Sequence, residues 1–229
     1  MIEDPPLVTL RRPTRRPTAA QVAALTGVPT GHVADAMDGR GSFDRGIKAC
    51  FPEASSFCGV ALTCHAGPAD NLAVMAALAI IAPGDVLIAA ADGYQTTAIV
   101  GDLVLGMAKN AGAVGFVTDG CVRDLPGIKA VGLPCFAAGV TPNSPARNGP
   151  GTIGLPVVAG GVAVETGDIV VADADGAVVV PFALIDRVIA RTAEIGKAEE
   201  SFEAKVKAGL RVPGFIEALY AGGRVRETD

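Results

Sequence analysis

The sequence predicts one α/β domain with mixed strands, preceded by an N-terminal arm and followed by a C-terminal helix. Three observations carry that reading. Half of the 229 residues are hydrophobic and 19% are charged, enough for a sizeable core and incompatible with a disordered chain. Apolar runs of strand length alternate with stretches of helical spacing, and between residues 86 and 117 they form a strand-helix-strand unit of parallel-crossover length. No long linker separates the parts.

Taken in order, residues 1–18 form a Pro-rich arm carrying Arg11, Arg12, Arg15 and Arg16, read as a solvated extension or oligomer contact. Thr18 to Met37 has helical spacing broken by Gly27-Val28-Pro29-Thr30, hence two short helices, the second capped by Thr30. Val60–Cys64 reads as a strand. Asp70 or Asn71 then caps a helix through Ile81 that is apolar on every side and therefore buried. Pro83-Gly84-Asp85 turns the chain into a strand, Val86–Ala91, which Asp92-Gly93 ends. A helix crosses Gly101 to Asn110, Gly112 closes it, and a strand from Ala113 to Val117 stops at Asp119-Gly120. A short helical stretch, Pro126–Val131, leads into a strand, Cys135–Ala138.

After Pro142 the texture is strand and turn: Val157-Val158, Val162–Val164, Ile169–Ala172 and Ala177–Val180. Phe182 to Leu210 is helical, with an exposed or subunit-bridging character. The domain divides as arm 1–18, core 19–196 and helical tail 197–229. An internal echo also appears, with Gly84-Asp85 leading to Asp92-Gly93 as Gly167-Asp168 leads to Asp175-Gly176. Shared turn chemistry accounts for it as well as duplication does.

Composition excludes several functions. With no Trp, two Tyr, eight Phe and a net charge of −5, neither base stacking nor tight binding to nucleic acid is expected. The longest apolar run, Leu72 to Ala82, is too short to cross a bilayer, and Met1 to Pro6 precede no apolar signal core, so a cytoplasmic protein is expected. Cys50, Cys58, Cys64, Cys121 and Cys135 contain no C-x-x-C and read as buried reduced thiols, without zinc-site spacing. His32 and His65 are isolated and read as structural. There is no phosphate-binding P-loop, no dinucleotide glycine fingerprint and no serine nucleophile elbow.

What remains is Gly101-Asp102-Leu103 together with Asp119-Gly120-Cys121-Val122-Arg123-Asp124. Ligands gather outside the carboxyl ends of parallel strands, where both Asp92-Gly93 and Asp119-Gly120 are expected to lie. The helix start near Gly101 adds free N–H groups and a positive dipole end. Arg123 offers a fork of donors matched to a carboxylate, and Asp124 a hard oxygen suited to a divalent cation such as magnesium.

The stretch from Ala111 to Asp124, following Gly101-Asp102 at a helix start, resembles the signature of RraA-like proteins. Gly161 to Gly176 is similar to the family's second stretch, with Thr166 where Pro is usual. The family includes 4-hydroxy-4-methyl-2-oxoglutarate aldolases, which also decarboxylate oxaloacetate, and regulators of ribonuclease E activity. The resemblance implies a β/β/α swivelling-type fold, assembly as homotrimers or pairs of trimers with sites between subunits, and a Mg or Mn requirement. It implies that Arg123 holds substrate, that Asp124 holds the metal directly or through water, and that Asp102 positions a water for proton transfer. Gly101 opens the helix whose amides at Leu103 and Val104 receive the substrate carboxylate. A Glu from a neighbouring subunit's C-terminal helix completes the metal surroundings, with Glu199 chosen and Glu200 equally placed. Because the regulators typically lack the acid after the Arg, retention of Asp124 favours a metal-dependent lyase over a pure binding protein; a lyase acting on another 2-oxo or 2-hydroxy acid is the further alternative.

Overall fold

The computed structural model describes residues 6–228. It opens with β1 (Val8–Leu10), α1 (Ala19–Leu25), α2 (Thr30–Ala36), β2 (Lys48–Ala49) and β3 (Phe57–His65). Next come α3 (Leu72–Ala77), β4 (Asp85–Ala90), β5 (Ala98–Val100), α4 (Asp102–Asn110), β6 (Gly115–Thr118) and β7 (Cys121–Val122). α5 (Leu125–Val131), β8 (Cys135–Ala137), β9 (Gly139–Val140), β10 (Gly151–Ile153), β11 (Val157–Ala159) and β12 (Val162–Val164) follow. The chain finishes with β13 (Ile169–Ala172), β14 (Ala177–Val180), α6 (Ile185–Lys207) and α7 (Gly214–Ala221). Residues up to Thr192 form one compact unit and those from Ala193 a second. The first five residues of the expected arm, and residue 229 of the tail, lie outside the described residues.

Among the described residues, one mixed sheet runs β1-β10-β3-β4-β6-β8-β2, with β13 paired to β3 and to β14. Its centre, β3-β4-β6-β8, is parallel, and the expected crossover joins β4 to β6 through α4. Along β4 the side chains alternate between two cores: Leu87 and Ala89 pack on one face with Val104, Leu105 and Ile128 of the helices. Val86, Ile88 and Ala90 pack on the other with Val157, Ala159 and Val164 of the β11-β12 hairpin. Both faces are covered, so every residue of β4 is buried, which is why the strand reads as an unbroken apolar run. The result is a mixed α/β architecture with helices on one side of the sheet and β-structure on the other.

The described part of the arm is largely exposed but is tied to the sheet rather than free. β1 adds to the sheet edge, parallel to β10 with Thr9 opposite Thr152, and Arg11 N–H donates to Ile153 O at 2.9 Å. Arg15 pairs with Glu165, and Arg16 with the buried Asp85. These contacts explain the sequence echo. Gly84 and Gly167 both take positive φ, +86° and +100°, a conformation open to glycine. The aspartate after each accepts the N–H three residues back: Ala82 to Asp85, and Glu165 to Asp168. Neighbouring arginines of one arm thus reach both turns, Arg15 lying 3.8 Å from Asp168.

Several boundaries differ from the sequence reading. The helix expected through Ile81 ends at Ala77, and Asp70, not Asn71, accepts the Leu72 N–H. Thr30 does not cap α2, which begins at Thr30 itself. Its N–H and hydroxyl both donate to Asp173 at 2.8 Å, so a distant carboxylate caps the helix. Burial pushes the Asp173 carboxyl up, but hydrogen bonds from Thr30 and Asp175 outweigh it and hold the group below its ordinary value. A depressed folded value stabilises the fold above the ordinary carboxylate range, and the contribution disappears as pH falls through that value. Asp173→Ala is expected to cost about 1–2 kcal/mol at neutral pH. Denaturant unfolding should show the gap from wild type closing as the pH is lowered below about 4.

The candidate active site

The Gly-Asp and Arg-Asp motifs converge because very short strands pair. β5 lies parallel to β7, and β7 parallel to β9, in a separate small sheet. All three leave that sheet at the same carboxyl end: β5 into Gly101 and α4, β7 into Arg123, Asp124 and α5, β9 into residues 141–147. Arg123 N–H donates to Val100 O at 3.1 Å and Thr141 N–H to Val122 O at 3.0 Å, carrying the ladder to the motif itself.

A cleft of about 120 Å³ opens at that end. Gly101, Asp102, Leu103, Val104, Arg123 and Asp124 all line it, so the structure brings these sequence-predicted positions of the core unit to one place. Glu199 and Glu200 belong to α6 in the C-terminal unit. The cleft is not where the main-sheet turns lie. Asp119 accepts the N–H groups of Ala91 and Gly93 at 2.6 and 3.0 Å, so the Asp92-Gly93 and Asp119-Gly120 turns brace each other. Sequence reading placed the site at the ends of the long strands because β5 and β7 are too short to show a period.

Arg123 is held from two sides. Its Nε lies 3.2 Å from Asp124 Oδ2, and Nη1 donates to the Ser144 hydroxyl. Those contacts occupy two of its five donors. Asp124 sits in the left-handed region, φ 61° and ψ 43°, at the start of α5. Outside glycine that conformation costs roughly 1–2 kcal/mol, less for Asp and Asn, and such strain tends to collect at functional sites. Gly101 makes the space: a Cβ there would collide with Asp124 Oδ2 and press on Arg123 Cγ at 3.2 Å. Gly127 does the same for Asp102, whose carboxylate fills the place a Cβ would need. Asp102 Oδ1 accepts the Leu103 N–H at 2.7 Å, so this amide, expected to receive substrate, is engaged by its own neighbour.

Three polar lining residues escaped sequence reasoning as site residues: Asn71, Ser144 and Arg147. Asn71 is 3% exposed; its Nδ2 donates to Ile99 O at 3.0 Å while Oδ1 is buried without a donor. An orphaned buried acceptor beside a cleft is a place where a ligand or water belongs. Ser144 and Arg147 follow β9 on a loop with no periodic signal.

The family model described as "RraA-like: Aldolase/RraA" matches residues 30–179. The chain belongs to the RraA-like family. A relative from Halalkalibacterium halodurans, named "Putative 4-hydroxy-4-methyl-2-oxoglutarate aldolase", is 38% identical over 193 residues, covering 84% of this chain and 91% of its own. Among solved structures, Streptomyces coelicolor RraAS2, described as an unusual member of the RNase ES inhibitor RraA family, superposes with a TM-score of 0.75 and 31% identity. The match covers 83% of this RraA-like chain and all of that one. The RNA-processing inhibitor RraA from Thermus thermophilis is similar with a TM-score of 0.60 and 28% identity, over 67% of this chain and 92% of its own.

The donor set suits a hard cation. Asp124 and Asp102 offer carboxylates on one cleft. Among the described residues no three His, Cys, Asp or Glu cluster as a closed metal site. Magnesium, which keeps several waters and takes one or two protein carboxylates, fits that pattern; zinc, which favours several N or S ligands, does not. No helix of the described residues is long and apolar enough to cross a membrane.

Proposed function

We propose that this RraA-like chain is a divalent-metal-dependent lyase of the pyruvate-aldolase type. Its substrates would be 4-hydroxy-2-oxo acids such as 4-hydroxy-4-methyl-2-oxoglutarate, with oxaloacetate decarboxylation as a second activity. The observation that carries the reading is the pairing of Arg123 and Asp124 on one cleft with Asp102 at the mouth of α4. The likeness to the H. halodurans relative supports it. Magnesium or manganese beside Asp124 would supply Lewis-acid stabilisation for the charge that gathers on the 2-oxo oxygen as the C3–C4 bond breaks.

The chain's own residues do the rest. Arg123 neutralises and orients a substrate carboxylate through its uncommitted donors, and the first turn of α4, with the Val104 amide, adds a favourable dipole. Asp102 keeps Oδ2 clear of the Leu103 N–H and would move a proton through a water. Retro-aldol cleavage and decarboxylation leave the same three-carbon fragment, so one site serves both. A Glu of a neighbouring subunit, Glu199 or Glu200, would complete the metal surroundings in a trimer or hexamer.

Arg147 gives the cleft a second guanidinium, matched to the far carboxylate of a diacid. Arg147→Ala is expected to raise KM for oxaloacetate about tenfold with little change in kcat, the signature of lost uniform binding. Gly101→Ala carries no backbone strain at φ −130°, yet its methyl would displace both motif side chains. Pyruvate release should fall about a hundredfold while denaturant unfolding changes by less than about 1 kcal/mol.

A second reading, a regulator binding an RNA-degrading enzyme, draws support from the two RraA structures. Pyruvate release should be measured from several 4-hydroxy-2-oxo acids and oxaloacetate with added Mg or Mn. Turnover of at least one is the expected result. Binding to such an enzyme with no turnover of any acid would replace the lyase reading with the regulatory one.

A further inference from the structure

The geometry points to Cys50 and Cys135 as a reversible dithiol-disulfide site, closed by a peroxide and reopened by a thiol reductant. The pair is made by the sheet. β2 runs antiparallel to β8 with Lys48 opposite Ala137 and Ala49 opposite Phe136, so the next pair in register is Cys50 and Cys135. Cys50 N–H donates to Cys135 O at 2.8 Å, which carries the ladder one residue past β2 and holds the two backbones opposite each other. Directly opposed antiparallel residues have Cα atoms about 4.5–5.5 Å apart, inside the range a disulfide spans. The Cys50 thiol points at Cys135 Sγ from 3.7 Å, so closing the bond asks for side-chain rotation and little backbone movement. Eighty-five residues separate the two in sequence, which hid the pair from spacing arguments.

The two thiols have different roles. Cys50 is half-buried and reachable by a small oxidant, whereas Cys135 is buried in the helix-side core. Once Cys50 loses its proton, the Cys135 thiol becomes the donor across the gap. That contact holds Cys50 below the ordinary thiol value and raises Cys135. The remaining cysteines lack such a partner. Burial pushes Cys58 up to about 11 and Cys64 up to about 12, and also raises Cys121. Cys50 is accordingly the attacking thiol and Cys135 the resolving one.

The chemistry balances with hydrogen peroxide as the oxidant. The Cys50 thiolate attacks one peroxide oxygen, the O–O bond breaks, and the departing hydroxide takes a proton, giving a sulfenic acid and water. Cys135 sulfur then attacks Cys50 sulfur, the S–O bond breaks, and the leaving hydroxide takes the Cys135 proton as a second water. Two thiols lose two electrons and two protons; one peroxide becomes two waters. A dithiol reductant reverses the result by exchange.

The test uses the full-length reduced protein, exposed to hydrogen peroxide without denaturant, then alkylated and peptide-mapped by mass spectrometry. A Cys50–Cys135 linked peptide, lighter by two hydrogens, is expected, with three of the five thiols still alkylated and full recovery after dithiothreitol. Loss of the Cys50 thiol should be at least about tenfold faster than loss of Cys58. In Cys50→Ser, Cys135 should stay reduced; in Cys135→Ser, Cys50 should stop at a sulfenic acid trapped by dimedone. Oxidation of Cys50 to sulfinic acid without linkage in the wild type, faster oxidation of Cys58 or Cys121, or a bridge between chains would each overturn the assignment.

Discussion

Arg123→Ala is expected to lower kcat/KM for pyruvate release from oxaloacetate about a thousandfold, or ~4 kcal/mol of lost transition-state binding. Three consequences of one deletion add up to that figure. The substrate carboxylate loses its bidentate partner, Asp124 loses the Nε that orients it at 3.2 Å, and Ser144 loses the guanidinium beyond it. Arg123→Lys keeps the charge but not the fork, so it should recover only part of the activity. Both variants should fold, since the side chain is 37% exposed. Steady-state kinetics with matched unfolding curves checks the prediction; equal activity in Lys and Ala variants would remove the orienting role.

Asp124→Asn is expected to cost as much at a fixed magnesium concentration, by a different route. Asparagine tolerates the left-handed backbone nearly as well as aspartate, so stability should hold within about 0.5 kcal/mol, whereas Asp124→Ala adds roughly 1 kcal/mol of strain. What asparagine removes is the negative oxygen. The metal concentration giving half-maximal activity should therefore rise by at least about tenfold. An unchanged metal dependence in the Asn variant would show that Asp124 acts on something other than a cation.

Much of this was legible because local chemistry and fold agree. β4, α4 and β6 could be read directly, since an apolar run, a helical stretch closed by a glycine and a second apolar run leave few alternatives. The adjacency of Gly101-Asp102 and Arg123-Asp124 in the RraA-like signature also pointed to one cleft, which the structure contains. The platform under it was not legible: β5, β7 and β9 have two or three residues each, too few for a period to emerge. The sheet pairing of the arm was not legible, because Val8–Leu10 meets Gly151–Ile153 across some 140 residues and no local pattern records such a contact. The pattern around residue 70 offers Asp70 or Asn71 as a helix cap, and only the placement of Asn71 shows a carbonyl bond on one side and an unengaged oxygen on the other.

The most direct test of a guanidinium and a cation acting together on an oxo acid is the rate of pyruvate formation from oxaloacetate by the full-length protein after chelation, then after manganese is restored. The slow background from free metal is subtracted. Activity should vanish with the chelator and return with manganese. A rate indifferent to both would contradict the assignment of Asp124 and, with it, the chemistry proposed for the cleft.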